Sequence, residues 1–145
     1  MMTTSTMPNS PNPQGGVVGY PIDRTWTVMR AVYDSLGIAV TVFDPNSGTI
    51  GNANLRLKRR LGDVALSKYI NCGNAQGFPS ADTYEVSLSV ITYARPDASG
   101  GTSLTTTVGG DARPITISGE PVRCTSLSTL EAKVLATARM LLAKK

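Results

Sequence analysis

The sequence predicts an α+β domain in which an antiparallel β-sheet of four to six strands carries an N-terminal and a C-terminal helix on one face. Three observations lead there. A segment of helical period opens the folded part, and a second one closes it. Between them, runs of alternating apolar and polar residues are separated by turns containing proline and glycine. Successive strands joined by short turns pair antiparallel, and a sheet of that kind is commonly covered on one face and wet on the other. The 145 residues suffice for one domain, with no internal repeat and no second domain.

Residues 1–20 read as an extended N-terminal arm and 21–145 as the folded domain. The opening MMTTSTMPNSPNPQGG consists of small polar residues, prolines and glycines, and its only apolar side chains are methionines. It has almost nothing to bury against the entropy cost of ordering itself. An arm of this kind is expected to lie extended along a partner, with Met2 and Met7 as apolar anchors. Pro8, Pro11 and Pro13 stiffen it and so reduce the freedom lost on binding. At ~3.3 Å per residue, residues 1–16 would reach about 50 Å.

After YPID the period changes. In DRTWTVMRAVYDSLG the residues Trp26, Met29, Val32, Tyr33 and Leu36 recur at helical spacing, with Asp23 placed to cap the start and Gly37 to end it. Arg24, Arg30 and Asp34 point elsewhere, and Trp26 is expected in the core. IAVTVF (38–43) reads as a strand, DPNSG as a turn, and TIGNANLRLKRRLG as the returning strand, with Gly51 a candidate bulge. DVALSKYINCG is compatible with either a short strand or a helical turn, and GNAQGFPSAD reads as loop.

The clearest hairpin follows. TYEVSLSVITYAR alternates Tyr84, Val86, Leu88 and Val90 against Glu85, Ser87, Ser89 and Ile91, and leads through PDASGG into TSLTTTVGG. RPITISGEPVRC supplies a last short strand. Ser128 and Glu131 have capping-box spacing, and Leu127, Leu130, Val134, Ala138, Leu141 and Leu142 form the apolar stripe of a final helix ending in Lys144 and Lys145.

The stretch RTWTVMRAVYDSLGIAVTVFDPNSGTIG, a helix, a strand, an Asp-Pro/Gly turn and a Thr-Ile-Gly return, resembles the small helix-grip domains of Gram-negative envelope lipoproteins. The C component of the outer-membrane β-barrel assembly machine carries domains of this kind. The resemblance covers residues 22–95 by pattern. It implies a non-enzymatic scaffold or accessory role on an envelope complex and names no site residues. The lipid-bearing cysteine and its leader are missing from this pattern, so lipidation is not implied.

Composition narrows the chemistry. Histidine is absent, which removes the commonest general base and the commonest metal ligand together. No GxSxG, Walker or dinucleotide-binding glycine pattern occurs, and Ser67 beside Lys68 has no supporting motif. The Gly-Gly pairs sit in turn contexts, and the carboxylate pairs Asp82 with Glu85 and Asp97 with Asp111 fall in loops or on a solvated strand face. No enzyme activity, cofactor or metal is expected. No apolar run approaches the roughly 20 residues that span a bilayer, so no transmembrane segment is expected.

Cys72 in YINCGNAQG and Cys124 in PVRCTSLS each follow a strand-like stretch and belong to no metal-binding cluster. Two readings remain, a disulfide or two buried free thiols; an intramolecular disulfide is expected, and with it a periplasmic or extracytoplasmic location. Net charge is +4, from 14 basic and 10 acidic residues, too weak to argue for nucleic acid. In LRLKRR, Arg56, Lys58 and Arg60 fall on one strand face, opposite Leu55, Leu57 and Leu61. That face reads either as solvated edge protection or as a contact for an acidic protein surface or anionic lipid headgroups. No aromatic residues are interleaved for base stacking.

Two functions follow as expectations. The first is a non-enzymatic accessory subunit that docks on the protein subunits of a larger envelope or membrane-protein complex through its arm and basic strand. A photosynthetic or assembly-machine complex is a setting of that kind. The alternative is a solitary binding module with a small-ligand pocket between helix and sheet.

Overall fold

The computed structural model describes residues 14–75, 77–114 and 121–144. Strand β1 (Gln14–Val18) is followed by helix α1 (Ile22–Ser35), and β2 (Val42–Asp44) and β3 (Thr49–Lys58) form a hairpin. A lobe of short pieces comes next: β4 (Arg60–Leu61), β5 (Val64–Ala65), a 3-10 turn (Leu66–Lys68), β6 (Ile70–Asn71), β7 (Asn74–Ala75), β8 (Phe78–Pro79) and the single turn α2 (Ser80–Thr83). The long strands β9 (Glu85–Pro96) and β10 (Thr102–Arg113), then β11 (Val122–Ser126) and helix α3 (Thr129–Ala143), come last.

The main sheet is antiparallel, ordered β2-β3-β9-β10-β11-β6, with β1 also paired to β10. Alternation decides its faces. Val86, Leu88, Val90 and Ala94 of β9 and Leu104, Val108 and Ala112 of β10 are buried. Met29, Val32 and Tyr33 of α1 and Leu130, Val134, Ala138 and Leu142 of α3 close over the same core cluster. Each such side chain contributes roughly 1.5–3 kcal/mol by leaving water. Among the described residues, no helix covers the outward side chains of β9 and β10. This is the α+β arrangement the sequence predicts.

Several elements differ from the expectations, each for a local reason. Gln14–Val18, read as arm, is a strand because Val18 is buried, Gly15 lets the backbone lie close against β10, and Gly16 leaves room for Leu135 of the last helix. Residues 1–13, with Met2, Met7, Pro8, Pro11 and Pro13, lie outside the described residues. Helix α1 starts at Ile22 after Pro21, so Asp23 sits in the first turn and is not the cap. Its end is as expected, with Gly37 N–H donating to Asp34 O (3.1 Å) and Ile38 N–H to Tyr33 O (3.0 Å).

The strand expected over 38–43 shrinks to Val42–Asp44. The Asn52 side chain donates to Ala39 O (2.9 Å), taking a carbonyl that a longer ladder would have used. The irregularity in β3 falls between Asn52 and Leu55, not at Gly51. Gly51 is required instead by close approach, since a Cβ there would lie 2.1 Å from Val90 O. GNAQGFPSAD, read as loop, contains the miniature β7–β8 hairpin and α2. The last strand is Val122–Ser126. Ser128 is the N-cap of α3 but makes no side-chain cap. Ser126 takes that part, donating from Oγ to Glu131 Oε2 (2.5 Å) and accepting from Ser128 N–H (3.0 Å). Glu131 is buried, and among the described residues its Oε1 has no hydrogen-bond partner. Leu127 precedes the helix and is exposed.

A polar chain runs through the core. The hydroxyls of Tyr33 and Thr92 lie 2.7 Å apart and those of Thr92 and Thr106 2.8 Å, while Tyr33 also donates to Ile50 O (3.3 Å). It links α1 to β3, β9 and β10 at one level. Burial pushes the Tyr33 phenol from 10.0 up to about 12, partly opposed by its hydrogen bond with Thr92.

The expected disulfide is present. Cys72 and Cys124 are joined with Cα atoms 4.2 Å apart and a sequence separation of 52. They stand one step beyond the pair Thr125↔Asn71, so the bond fastens the end of β6 to β11. Such a bond is formed and kept in an oxidising, extracytoplasmic compartment.

Two predictions follow from this packing. Replacing both cysteines by serine should lower unfolding free energy by roughly 4 kcal/mol in the chain-entropy account. Denaturant titration checks the size, and intact mass after alkylation of unreduced protein should show no added label. The second concerns Tyr33→Phe, which should cost about 1–2 kcal/mol near neutral pH because Thr92 and the Ile50 carbonyl lose a partner. A phenol pKa raised in the folded state favours folding fully below pH 10 and loses that contribution as pH rises towards 12. Wild-type stability should therefore fall across that window by up to about 2.7 kcal/mol more than that of Tyr33→Phe.

Candidate binding groove and the basic strand

A concavity lies where the start of α1 meets the end of the sheet. The β2–β3 turn is built from Asp44 Oδ1 accepting the Asn46 N–H (3.1 Å) and a hydroxyl contact between Ser47 and Thr49 (2.9 Å). Gly48 closes it with φ +67, a left-handed conformation that suits glycine, and a Cβ there would lie 2.2 Å from Ala94 O. Ala94 N–H donates to Gly48 O (2.7 Å), and the Arg95 guanidinium donates to Ser47 O. The turn is thereby clamped onto the end of β9.

Helix α1 forms the opposite wall. Ile22, Asp23 and Trp26 from the helix, Pro45–Gly48 from the turn, and Ala94–Pro96 from β9 enclose about 650 Å³. That volume falls within the range of small-ligand sites. Its lining is mostly apolar, from Ile22, Trp26, Pro45, Ala94 and Pro96, with Asp23 and Arg95 as the charged members. Trp26 is half-buried and packs on Phe43 with ring centroids 5.1 Å apart. Its expected place in the core is thus corrected to the core's margin, because the Asp-Pro turn leaves one side of the indole uncovered. Arg30 lies 4.0 Å over the Phe43 ring. Just beyond the rim, Asp97 accepts hydrogen bonds from Ser99, which hold its carboxyl below the ordinary range.

The basic stretch is divided by the backbone. Arg56 and Lys58 share the exposed face of β3 with Leu55 and Leu57 turned inward, as expected. Arg59 takes a left-handed conformation at φ 69, ending β3, so Arg60 belongs to β4 and does not continue the row. Nor is the face purely basic. Register sets Lys58 beside Glu85 and Glu85 beside Arg113, while Arg56 faces Ser87, Ser87 faces Asp111, and Asp111 faces Arg123. Charges of opposite sign thus alternate across the strands, and Arg56, Glu85, Ser87, Asp111 and Arg113 surround one shallow depression.

The remaining candidates have structural employment. Ser67 donates from Oγ (2.6 Å) and from N–H (2.9 Å) to the Asp82 carboxylate, which joins the 3-10 turn to α2. Asp82 and Glu85 are therefore not a facing pair, and Asp97 and Asp111 lie far apart along the β9–β10 hairpin. Among the described residues, no three cysteine or acidic side chains converge as a metal site, and no helix is long and apolar enough to cross a membrane.

A pocket between helix and sheet was the alternative expectation, but none of the groove's residues was among the sequence-predicted sites. Its signal was available in part, since Asp23 and Trp26 lie one helical turn apart beside an Asp-Pro turn. What was missing was the pairing that brings Ala94–Pro96 to them. No protein-family model matches the chain, and no curated protein is significantly similar to it.

The charge rows generate a prediction. Glu85→Lys would set three cations side by side on adjacent strands and should lower stability by about 0.5–1 kcal/mol. Ser89→Lys, on the same face of β9 away from the charged rows, should change it less. The difference should shrink in 1 M NaCl, where the screening length is about 3 Å.

Proposed function

We propose that this chain is a non-enzymatic binding module working on the extracytoplasmic, periplasmic side of an envelope membrane, and that it takes an apolar group into the groove between α1 and the sheet. One observation carries the reading: about 650 Å³ of mostly apolar concavity whose walls come from three separate parts of the chain. Arg95 reaches the Ser47 carbonyl and Gly48 rests on Ala94, so two of those walls are braced against each other. A preformed site loses little freedom on binding. The pattern-level likeness to helix-grip domains of envelope lipoproteins agrees with the non-enzymatic, envelope part of this reading.

A second reading is favoured by the uncovered outer face of the sheet. Ile91 and Tyr93 stand there among serines and threonines, with Arg56 and Lys58 at one end. On that reading the chain is an accessory subunit that docks on protein subunits of a larger complex, or on anionic lipid headgroups, through this face and its N-terminal arm.

The two separate in one titration. Trp26 is the sole tryptophan and lines the groove, so its emission reports on it directly. The neutral apolar probe N-phenyl-1-naphthylamine should bind at one saturable site with energy transfer from Trp26. Arg56→Glu with Lys58→Glu should leave that binding unchanged. Absence of saturable transfer would remove the groove reading, and loss of binding in the double variant would shift the site to the outer face.

A further inference from the structure

The groove is balanced in charge. Its lining holds one carboxylate, Asp23, and one guanidinium, Arg95, which is already engaged with the Ser47 carbonyl. Trp26, Pro45 and Pro96 give it flat apolar surfaces beside Ile22 and Ala94. Among the described residues no acceptor meets the Trp26 indole N–H, and that nitrogen is not one of the buried polar atoms, so it is open as a donor. Aromatic and proline surfaces with a free donor suit an uncharged peptide in polyproline II conformation, which presents its carbonyls and makes no internal hydrogen bonds. Prolines in such a peptide bring no N–H for an apolar wall to leave unpaired.

The chain itself contains a segment of this chemistry. MMTTSTMPNSPNP, residues 1–13, has no acidic or basic side chain, and its Pro8 and Pro11 are the one pair of prolines three residues apart in the sequence. A spacing of three is one turn of polyproline II, which sets both rings on one face. Strand direction decides whose groove the segment enters. β1 runs from Gln14, opposite Thr106, to Val18, opposite Thr102, and Thr102 is paired with Pro96 in the groove wall. Residues 1–13 are therefore joined to β1 at the end farther from their own groove, and would have to double back past β10 and β9 to enter it. The groove of a second copy requires no such reversal. At ~3.1 Å per residue in this conformation, the segment would span about 40 Å.

We propose that the groove takes the proline segment of a second copy of this chain. Pro8 and Pro11 pack against Trp26, Pro45 and Pro96, and the indole N–H donates to a carbonyl of the segment. Exchange in both directions fills two grooves through two identical contacts, which closes as a two-fold dimer. The stiffness of the proline segment lowers the ordering cost of binding. This exchange rests on the groove being a binding site at all, and the experiment tests the two separately.

In sedimentation velocity the full chain should form a reversible dimer, and Trp26 emission should move to longer wavelength on dilution, in step with dissociation. Pro8→Gly with Pro11→Gly should raise the dimer dissociation constant at least about tenfold. A synthetic peptide of residues 1–13, added to the dilute protein, should bind saturably, reverse the Trp26 shift and displace N-phenyl-1-naphthylamine. The same peptide with both glycine substitutions should bind at least about tenfold more weakly. If the naphthylamine probe binds but neither peptide displaces it, or if the dimer and its Trp26 signal persist unchanged in the double variant, the exchange is overturned while the groove reading stands. A Trp26 signal lost in the double variant but independent of protein concentration would put each copy's own segment in its groove, which also overturns the exchange. If neither the probe nor the peptide binds, the groove reading falls and the exchange falls with it.

Discussion

The structure depends on the register of one hairpin. Strands β9 and β10 pair without interruption from Pro96↔Thr102 to Arg113↔Glu85. Because side chains alternate with a period of two, a slip of β9 by one residue would turn Val86, Leu88 and Val90 outward and bring Glu85, Ser87 and Ser89 under the helices. Such a slip would sacrifice most of the buried apolar surface of the central strands, so the register is energetically specified. The rest of the main sheet is built outward from this pair. β3 adds to β9, and β1 and β11 share the remaining edge of β10, at Thr102–Thr106 and at Gly110–Ala112 respectively.

That division leaves β1 and β11 a separate segment of the β10 edge each. β11 enters further along, and the Cys72–Cys124 bond secures it to the two-residue strand β6. A strand of that length contributes too few hydrogen bonds to hold a lobe in place. The covalent link supplies what pairing cannot, while the Ser67–Asp82 bonds hold the lobe together internally.

How much of this was legible follows from the range of the interactions involved. The two long helices, the central hairpin and the cysteine pair announce themselves because periodicity and residue type are local properties, and burial reinforces them. The reading failed where a side chain competes with the backbone at a distance. Asn52 reaching Ala39 O shortens β2, and Ser126 takes the place of the N-cap Ser128 as the side chain that bonds Glu131. Arg59 shows a third case, since nothing in LRLKRR marks the left-handed residue that cuts the basic row. The groove is the extreme instance. It requires the helix start, a turn and the end of β9 to converge, and no window of the sequence contains all three.

The same register that buries the core also sorts the charges. On the outer face, strand pairing neutralises the basic stretch internally, by setting Lys58 and Arg113 on either side of Glu85 and Asp111 beside Arg123. At the groove no such sorting occurs. Asp23 lies on a helix, Asp44 precedes a turn and Asp97 begins a loop, so none has a cross-strand cation opposite it. Charges inside a sheet are balanced by their neighbours in the ladder, whereas charges at its end are left to act on whatever enters from solvent. The two ends of β9 therefore differ physically, one carrying charges paired across the ladder and the other carrying carboxylates with no cross-strand cation beside the half-buried Trp26.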